Sequence, residues 1–599
     1  MTVIKDLGLT LAHRALHPDR VKGGAILGRM LELEGVTDVF GIIDGTYFGF
    51  YESLSRHGMR LWSPRHETCA AHMAGAYARL TGRLGVCMAS NGPGVANILP
   101  GVAVENAEGN RVLLITSCRR TGITDPDRGG AYQYFRQVDV IRPMAKLSVA
   151  VPSVERLPEL ARQALRACFT GRPGVVHLDV PESVMNADLD PHEGWYRQPS
   201  AYRVTTGLSP DRGAVRAAAA LLRAAKRPVI HAGSGVTHAQ ATAELAALAR
   251  SQRVPVTTSW GARAVLDERL DVAVPMQHVE VVNRARTEAD LVLILGSRVG
   301  ETDWWGKPPY WGRPGEQRTI QVDLDADCLG RTRAADLLVQ ADVRLFLQGL
   351  LEELGPAPVR EPTRDEFIAR LSADRRRDRA RLDEHLSDLS LPMGSAHVPA
   401  VCRRVFADDA IAVMDGGNTA IWANFFHEVR VPDSVLGTPK MGMLGAGVSQ
   451  ALGAKVAYPN RQVFCVIGDG AMGFHQQEIE TAVRNGLQVI YLVLCDRQWG
   501  MVKINQSFAL DPLRTIVKRS LPPEETINAD LSETQFDVLA RSMGAHGERV
   551  ADPLGLEGAI QRSLRSGKPA VIHVDVDPVR HMWAPALKTF KDMHAEPAG

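Results

Sequence analysis

Short runs of β-branched residues alternate with helical patterns in three successive blocks of this 599-residue chain. The runs include RVLLITS in the first block, DLVLILGSR in the second and QVFCVIGDG in the third. Strands that alternate with helices at this spacing predict parallel sheets covered by helices on both faces. We therefore predict an α/β protein with three doubly wound parallel-sheet domains, at residues 20–190, 205–350 and 395–580. Residues 351–394 are predicted to form a charged connecting helix, and residues 581–599 a C-terminal tail.

The composition narrows the classes of protein that this chain can belong to. A formal net charge of +1 creates no overall field that would attract nucleic acid or an anionic membrane. Alternating charge signs across residues 360–390 favour a solvated helix over a nucleic-acid patch. Eight scattered cysteines without a CxxC pair are typical of reduced thiols. Because the chain shows neither a membrane-spanning run nor a signal-peptide core near its start, we predict a cytoplasmic protein.

One strand of the third block ends on an acidic residue held between two glycines, in VIGDGAMGF. The glycines beside Asp469 allow a sharp turn, and a helix is predicted to begin near Ala471. Asp496 follows the next apolar run, YLVLCD, so two carboxylates are expected at one edge of the sheet. Such carboxylates repel each other unless a cation lies between them. Oxygen ligands favour Mg²⁺, which accepts phosphate as a co-ligand, so a magnesium site is predicted here.

This GDG spacing resembles the diphosphate-binding motif of thiamine diphosphate-dependent enzymes. The resemblance implies that the metal ligands are Asp469, Asp496 and the main-chain carbonyl of Gln498. Asp496 stands where the family usually has Asn, which keeps an oxygen ligand but adds a negative charge. The cofactor-binding residues implied in this region are Gly468, Asp469, Gly470, Ala471 and Met501.

Two stretches of the first block resemble the family's pyrimidine-binding region, WSPRHETCAAHMAGAYARL and NGPGVAN. The resemblance makes Glu67 the glutamate that bonds to the aminopyrimidine ring and promotes proton removal from the thiazolium. It also places Pro93 and Asn97 at the border of that ring. A helix-dipole role is the alternative for Glu67 when the stretch is taken alone.

Two stretches of the third block complete the match. VMDGGNTAIW resembles the first diphosphate-binding strand end and implies that Gly417, Asn418 and Thr419 supply donors to the diphosphate. MGMLGAGVSQ resembles the segment that carries the apolar wedge beneath the cofactor. The resemblance places Leu444 at the wedge position, with Met443 as a further cofactor contact.

Among thiamine enzymes, the chain most resembles the acetolactate synthase large subunit and its relatives. GGAYQYFRQVDVIRPMAKLSV aligns with a segment that carries an active-site Gln and Lys, which implies Gln133 and Lys146 here. The middle stretch ILGSRVGETDWWGKPPYWG also resembles oxalyl-CoA decarboxylases and 2-hydroxyacyl-CoA lyases. There, Arg298 and Lys307 could contact the ADP part of coenzyme A, although a packed aromatic loop is the preferred interpretation. The synthases' two FAD-binding stretches are replaced by VPMQHVEVV and SRVGETDWWG, which argues against FAD.

The resemblance implies a thiamine diphosphate- and Mg²⁺-dependent C–C lyase or carboligase that acts on 2-oxoacids. Cleavage of a CoA thioester is the alternative, and an inactive cofactor-binding regulatory homologue is a third reading that Glu67 and Asp469 argue against. In the family, the glutamate and the GDG motif meet across a subunit interface. This implies a homodimer as the minimum catalytic unit, commonly doubled to a homotetramer. Residues 507–532 are predicted to form a mobile lid.

Overall fold

The computed structural model describes residues 20–357, 359 and 361–598. The chain forms two compact units, one ending at Thr205 and the other beginning at Thr206. The start of the chain, considered above for a signal peptide, lies outside the described residues up to position 19. All eight cysteines are described, and each is buried and free of disulfide bonds. No helix in the described ranges is long and apolar enough to cross a bilayer.

The first unit is built around one parallel sheet. Its strands are β1 (Val21–Lys22), β2 (Asp38–Gly41), β3 (Arg60–Trp62), β4 (Gly85–Ala89), β5 (Val112–Cys118), β6 (Leu147–Ala150), β7 (Val175–Pro181) and β8 (Asp188–Leu189). Its helices are α1 (Gly23–Leu33), α2 (Phe48–Arg56), α3 (Glu67–Thr81), α4 (Pro93–Glu108), α5 (Thr121–Thr124), α6 (Gln137–Ile141), α7 (Leu157–Phe169) and α8 (Glu182–Met185). Six strands form the first sheet in the order β3-β2-β4-β5-β7-β6, while β1 and β8 form an antiparallel pair.

The second unit contains two parallel sheets, and the one nearer the start of the unit is called the middle sheet. Its strands are β9 (Pro228–Ala232), β10 (Val256–Thr258), β11 (Ala273–Val274), β12 (Leu291–Leu295), β13 (Arg318–Asp323) and β14 (Leu337–Gln340). The helices around it and beyond it are α9 (Arg212–Ala224), α10 (Gly235–His238), α11 (Thr242–Ser251), α12 (Val279–Glu288), α13 (Val343–Leu354) and α14 (Pro362–Asp383). The strand order is β11-β10-β9-β12-β13-β14.

The last sheet of the chain is called the third sheet. Its strands are β15 (Ile411–Asp415), β16 (Val435–Leu436), β17 (Val463–Gly468), β18 (Val489–Cys495), β19 (His546–Val550) and β20 (Ala570–Asp575). Its helices are α15 (His397–Val405), α16 (Gly417–Phe426), α17 (Ala446–Ala457), α18 (Asp469–His475), α19 (Glu478–Asn485), α20 (Gly500–Leu510), α21 (Pro512–Lys518), α22 (Phe536–Ser542), α23 (Pro553–Arg565), α24 (Pro578–Met582) and α25 (Leu587–Asp592). The strand order is β16-β15-β17-β18-β20-β19.

The prediction of three doubly wound parallel sheets is confirmed, and the strand orders show where ligands belong. Numbered from its own first strand, each of the first and third sheets runs 2-1-3-4-6-5, whereas the middle sheet runs 3-2-1-4-5-6. In each sheet the chain reverses direction beside the first strand. Ligands of open α/β sheets bind at the carboxyl ends of the strands at such a reversal. In the third sheet, this point lies between the ends of β15 and β17.

The charged helix α14 is more firmly packed than the sequence suggests. Phe367, Ile368 and Leu371 recur at helical spacing and are buried. Arg364 is also buried, and its guanidinium donates hydrogen bonds to the carbonyls of Leu222, Ala225 and Gln252. The prediction of a solvated helix is therefore wrong for this face, because an apolar stripe and a buried arginine hold the helix on the middle-sheet domain.

Replacing Arg364 by Leu is expected to destabilise the chain by about 3 kcal/mol, because three buried carbonyls lose their donors. Arg364→Lys is expected to rescue only part of the loss, since an ammonium cannot reproduce the planar guanidinium fork. Urea unfolding followed by tryptophan fluorescence measures both effects. Arg381→Met, at an exposed position of the same helix, serves as the control. A fully stable Arg364→Leu variant would contradict the anchoring role.

Candidate functional site

Two buried carboxylates lie at the carboxyl end of the third sheet. Asp469 is the first residue of α18, directly after β17, and Asp496 follows β18. β17 and β18 are neighbouring parallel strands, so both side chains reach the same edge. The Asp469 carboxylate accepts hydrogen bonds from the amides of Gly470 at 2.7 Å and Arg497 at 2.8 Å. The turn therefore holds Asp469 in place through the backbone.

Burial disfavours the ionised form of both carboxylates. Burial raises the pKa of Asp469 to about 7, and the charge of Asp496 adds to that rise. Burial likewise raises the pKa of Asp496 to about 7. The nearby His581 supplies no compensating charge at neutral pH, because burial lowers its pKa to about 4. A divalent cation would supply the missing positive charge and stabilise both ionised groups.

Several polar atoms at this edge are buried without a hydrogen-bond partner among the described residues. They are Oδ2 of Asp496 and both side-chain amide atoms of Asn418. Gly500 lies between the two side chains, and a Cβ there would be 2.9 Å from Asn418 Nδ2 and 3.2 Å from Asp496 Oδ2. Buried polar groups are normally satisfied, so these atoms indicate a ligand. Oxygen donors beside an amide fit a hard cation that holds a phosphate group.

The reversal point of the sheet brings the predicted glycines and Thr419 to the same edge. α16 begins at Gly417, directly beyond β15. A Cβ on Gly468 would lie 2.9 Å from Thr419 Oγ1, and one on Gly470 would lie 2.7 Å from the Trp499 ring. Glycine at these positions permits the close approach of the two strand ends. Ala471 is buried on α18 directly after this turn.

The segment after Asp496 lies against the same edge. The Gln498 side chain donates to the carbonyl of Pro578 at 2.7 Å. The bridge to residues 529–531 uses the Trp499 amide and the Arg497 carbonyl, and so does not involve the Gln498 carbonyl. Met501 packs over Gly417, since a Cβ on that glycine would lie 3.2 Å from the Met501 Cβ.

The predicted wedge segment is held between β15 and α18. Thr438 Oγ1 accepts a hydrogen bond from the Met443 amide at 3.1 Å, and Leu444 is half-buried. The next residue, Gly445, has a φ of +86°, and a Cβ there would lie 2.6 Å from Phe474. The following helix is fixed by its Gly447 amide, which donates to an Asp415 carboxylate oxygen at 2.7 Å.

Sequence reasoning missed Asp415 and His581. The sequence did contain a signal for Asp415, because this acidic residue ends β15 just before Gly-Gly, and Asp469 similarly follows β17 between two glycines. The imidazole of His581 contacts the hydroxyls of Ser395 at 2.6 Å and Thr419 at 3.3 Å, and it lies 4.0 Å from Asp496 Oδ2. No local sequence pattern predicts these contacts of His581, because the three partners lie 85 to 186 positions earlier in the chain.

The first unit brings Glu67 and the NGPGVAN loop together. Glu67 is the first residue of α3 and is buried. Its Oε2 accepts a hydrogen bond from Asn97 Nδ2 at 3.1 Å. A Cβ on Gly94 would lie 3.3 Å from Glu67 Oε1, and Pro93 begins α4 beside it. The carboxylate is thus positioned beside a glycine where a ring could approach it.

Of the two residues predicted beyond that loop, only Gln133 lies next to it. Its carbonyl accepts a hydrogen bond from Asn91 Nδ2 at 2.9 Å, and its own φ is +54°. Lys146 precedes β6 and so lies at the opposite, amino-terminal edge of the parallel sheet. Its ammonium donates to the carbonyls of Thr170 and Arg172. The structure of the unit therefore does not bring Lys146 to Glu67.

The predicted lid residues are folded in this structure. Some lie on the end of α20, on α21 and on a short 3₁₀ turn at Pro523–Glu525, and the others form irregular backbone between and after these elements. Lys503 forms an ion pair with Asp530 at 2.6 Å, which ties the segment to α20.

The aromatic loop of the middle domain is packed, which agrees with the interpretation preferred from the sequence. Trp304 stacks on Tyr310 with ring centroids 3.5 Å apart, and the buried Trp311 donates to the carbonyl of Asp303. Lys307 forms an ion pair with Glu596 at 2.7 Å, whereas Arg298 is exposed.

Asp496→Asn is expected to stabilise the metal-free chain above pH 7 and to change little near pH 4. The folded-state pKa values of about 7 exceed the roughly 3.9 of an unfolded Asp. The folded state therefore holds more protons between these values, and stability falls as the pH rises through this window. Asp496→Asn removes one of the two carboxyl groups, so the free energy of unfolding should decrease less as the pH rises. Thermal unfolding in chelator from pH 4 to 8 measures it, with exposed Asp190→Asn as the control. An unchanged pH profile would contradict the strained pair.

The sequence matches three parts of one enzyme family. Residues 21–140 match the thiamine pyrophosphate enzyme N-terminal TPP binding domain, residues 215–350 the central domain, and residues 415–574 the C-terminal TPP binding domain. The chain is 27% identical over 580 residues to a probable acetolactate synthase large subunit of Methanocaldococcus jannaschii, covering 93% of this chain and 92% of that one. It is 26% identical over 579 residues to human 2-hydroxyacyl-CoA lyase 1, covering 94% and 95%. It is 27% identical over 564 residues to the acetolactate synthase isozyme 2 large subunit of Escherichia coli, covering 92% and 95%. The chain therefore belongs to the thiamine pyrophosphate enzyme family.

Proposed function

We propose that this chain is a thiamine diphosphate- and Mg²⁺-dependent lyase or carboligase that cleaves or forms a C–C bond beside the carbonyl of a 2-oxoacid. The observation that carries the proposal is the Asp469–Asp496 pair, whose raised pKa values indicate a cation. The unpartnered Asp496 and Asn418 atoms beside the pair extend the site toward a phosphate group. Similarity to acetolactate synthase large subunits supports the 2-oxoacid substrate class.

The residues at the ends of the third sheet's strands and Glu67 have roles that their surroundings support. Asp469, Asp496 and the Gln498 carbonyl would hold Mg²⁺, and Asn418 and Thr419 would donate to the diphosphate. When bound, thiamine diphosphate supplies the carbon nucleophile and the electron sink of the reaction. Glu67 would hold and return a proton at the aminopyrimidine ring, and the Asn97 amide keeps its carboxylate oriented.

The two half-sites are proposed to meet between the subunits of a homodimer, which a homotetramer would double. Apolar side chains are exposed beside both strand edges. In the first unit, Ile43 and Phe48 follow β2 and are 59% and 68% exposed. In the second unit, Met441 and Phe474 near the carboxylate pair are about half exposed. Apolar groups clustered around a binding site favour an interface over open solvent.

Cleavage of a 2-hydroxyacyl-CoA is the second candidate. It is favoured by similarity to human 2-hydroxyacyl-CoA lyase 1 at the same level as to the synthases. Against it, the predicted phosphate contact Lys307 is already engaged by Glu596. FAD is not part of the proposal, and the absorbance spectrum of the native protein tests for it. The eight free, buried cysteines support a reducing compartment such as the cytoplasm.

Two substrate assays separate the candidate reactions. With pyruvate, thiamine diphosphate and Mg²⁺, we expect a product that yields acetoin after acid treatment. With a 2-hydroxyacyl-CoA, we expect neither formyl-CoA nor a released aldehyde. Asp469→Asn serves as the inactive control because it removes a metal ligand. Formyl-CoA production without acetoin would establish the second candidate instead, and calorimetry showing no Mg²⁺-linked uptake of thiamine diphosphate would reject both.

Glu67→Gln and Asp469→Asn are each expected to lower the turnover rate by about 10² to 10⁴-fold. Glu67→Gln should still bind the cofactor, because the amide preserves size and shape. If each active site combines Glu67 of one subunit with Asp469 of its partner, unfolding and refolding the two variants together should restore about a quarter of the wild-type rate. Half of the dimers would then be mixed, each with one intact site. Exposed Glu159→Gln is the control for loss of a surface charge. No recovery in mixed dimers would place both residues in sites built from one subunit.

A further inference from the structure

A cavity of about 340 Å³ lies within the second unit, where the middle-sheet domain, α14 and the loop after α16 meet. None of the predicted cofactor or metal residues lines this cavity, so it is distinct from the candidate site. The wall contributed by α14 carries Arg375, Arg376 and Arg379. Pockets of this volume accommodate small metabolites.

The two glutamates in the wall are already neutralised by other arginines. Glu268 pairs with the buried Arg263 at 3.0 Å and also accepts the amide of Val429 at 2.9 Å. Glu428 pairs with Arg430 at 3.0 Å. The carboxylates of the cavity are therefore committed to fixed partners, which leaves the helix arginines to set its charge.

Two of those arginines have no carboxylate partner in the part of the chain that the structure describes. Arg379 donates to Asp383. By contrast, Arg375 donates from one nitrogen to main-chain carbonyls, including those of Glu268 at 3.1 Å and Leu270 at 3.0 Å. Arg376 is exposed and forms no ion pair among the described side chains. The cavity therefore presents about two positive charges that the protein does not balance.

Two buried polar side chains of the wall carry atoms without a hydrogen-bond partner within the described ranges, although the Gln277 amide nitrogen donates to Glu268 at 3.2 Å and the His427 ring packs against Phe464. His427 is 2% exposed, and neither ring nitrogen has a hydrogen bond. Gln277 is 6% exposed, and its Oε1 accepts none. An imidazole offers one donor and one acceptor, and the amide oxygen requires a donor. Unsatisfied groups in a polar cavity of this size indicate a bound molecule.

We propose that this cavity binds a small, doubly charged oxyanion that carries a hydroxyl group, either a hydroxydicarboxylate or a phosphate. Guanidinium groups of Arg375 and Arg376 would pair with its charged oxygens, which is the geometry that arginine favours. His427 would donate to an oxygen, and the ligand's hydroxyl would donate to Gln277. Because the cavity is walled by both sheet domains and α14, the bound anion would fasten the middle domain to the domain that carries the carboxylate pair.

Isothermal titration calorimetry tests the proposal on the full chain saturated with thiamine diphosphate and Mg²⁺ at constant ionic strength. The probes are malate, inorganic phosphate and succinate, which lacks the hydroxyl group. Malate or phosphate should bind saturably, and succinate should bind about tenfold more weakly than malate. Arg376→Glu should weaken binding at least tenfold, and Arg376→Lys should retain part of it, because an ammonium keeps the charge but not the planar fork. Arg381→Glu, at an exposed position of the same helix, should bind like the wild type.

The paired variants keep the outcome independent of the catalytic proposal. Anions that enter the diphosphate site would bind alike in Arg376→Glu and Arg381→Glu, so only the difference between them reports on this cavity. Equal affinities in the two variants, or no saturable heat with any probe, would overturn the proposal and leave an adventitious ion only. Succinate binding as tightly as malate would overturn the hydroxyl contact with Gln277.

Discussion

The fold of the third sheet buries the carboxylates of Asp469 and Asp496 side by side, which disfavours ionisation of both groups in the absence of a cation. Burial raises both pKa values to about 7, and the charge of Asp496 adds to the rise at Asp469. The structure keeps the pair in place nonetheless, through main-chain amides on Asp469 and a glycine at 500 that leaves room between Asp496 and Asn418. A divalent cation would resolve this conflict, and the surrounding donors would then be available to a phosphate group. The candidate chemistry follows from that single electrostatic constraint.

Much of this arrangement was predictable because it is local in the sequence. Strand-forming runs and turn glycines report on neighbouring residues, so the three sheets and the strand end at Gly468-Asp469-Gly470 could be predicted. Asp496 could be placed beside Asp469 because successive parallel strands end at one edge. Glu67 and Asn97 were identified only through family resemblance, yet the structure joins them by a hydrogen bond.

The contacts that escaped prediction join distant parts of the chain. His581 reaches Ser395 and Thr419 from the C-terminal region, and Arg364 bonds to carbonyls more than a hundred residues earlier. No periodicity encodes such pairs. Lys146 shows a further limit, since an aligned position gives no information about the edge of the sheet at which a residue lies. The burial of one face of helix α14 was not predicted, because many charged residues surround the few apolar residues of its stripe.

The middle sheet shows that two reversal points can leave very different groups at the strand ends. Its reversal point lies between β9 and β12, where Gly233 and Gly235 meet Gly296 so closely that a Cβ on either would clash with the opposite backbone. The Gly235 amide donates to the Gly296 carbonyl at 3.0 Å, so the backbone joins the two strand ends directly. At the third sheet's reversal point, polar atoms remain buried and unpartnered among the described residues. The difference between a closed turn and a site therefore lies in which groups the strand ends leave unsatisfied.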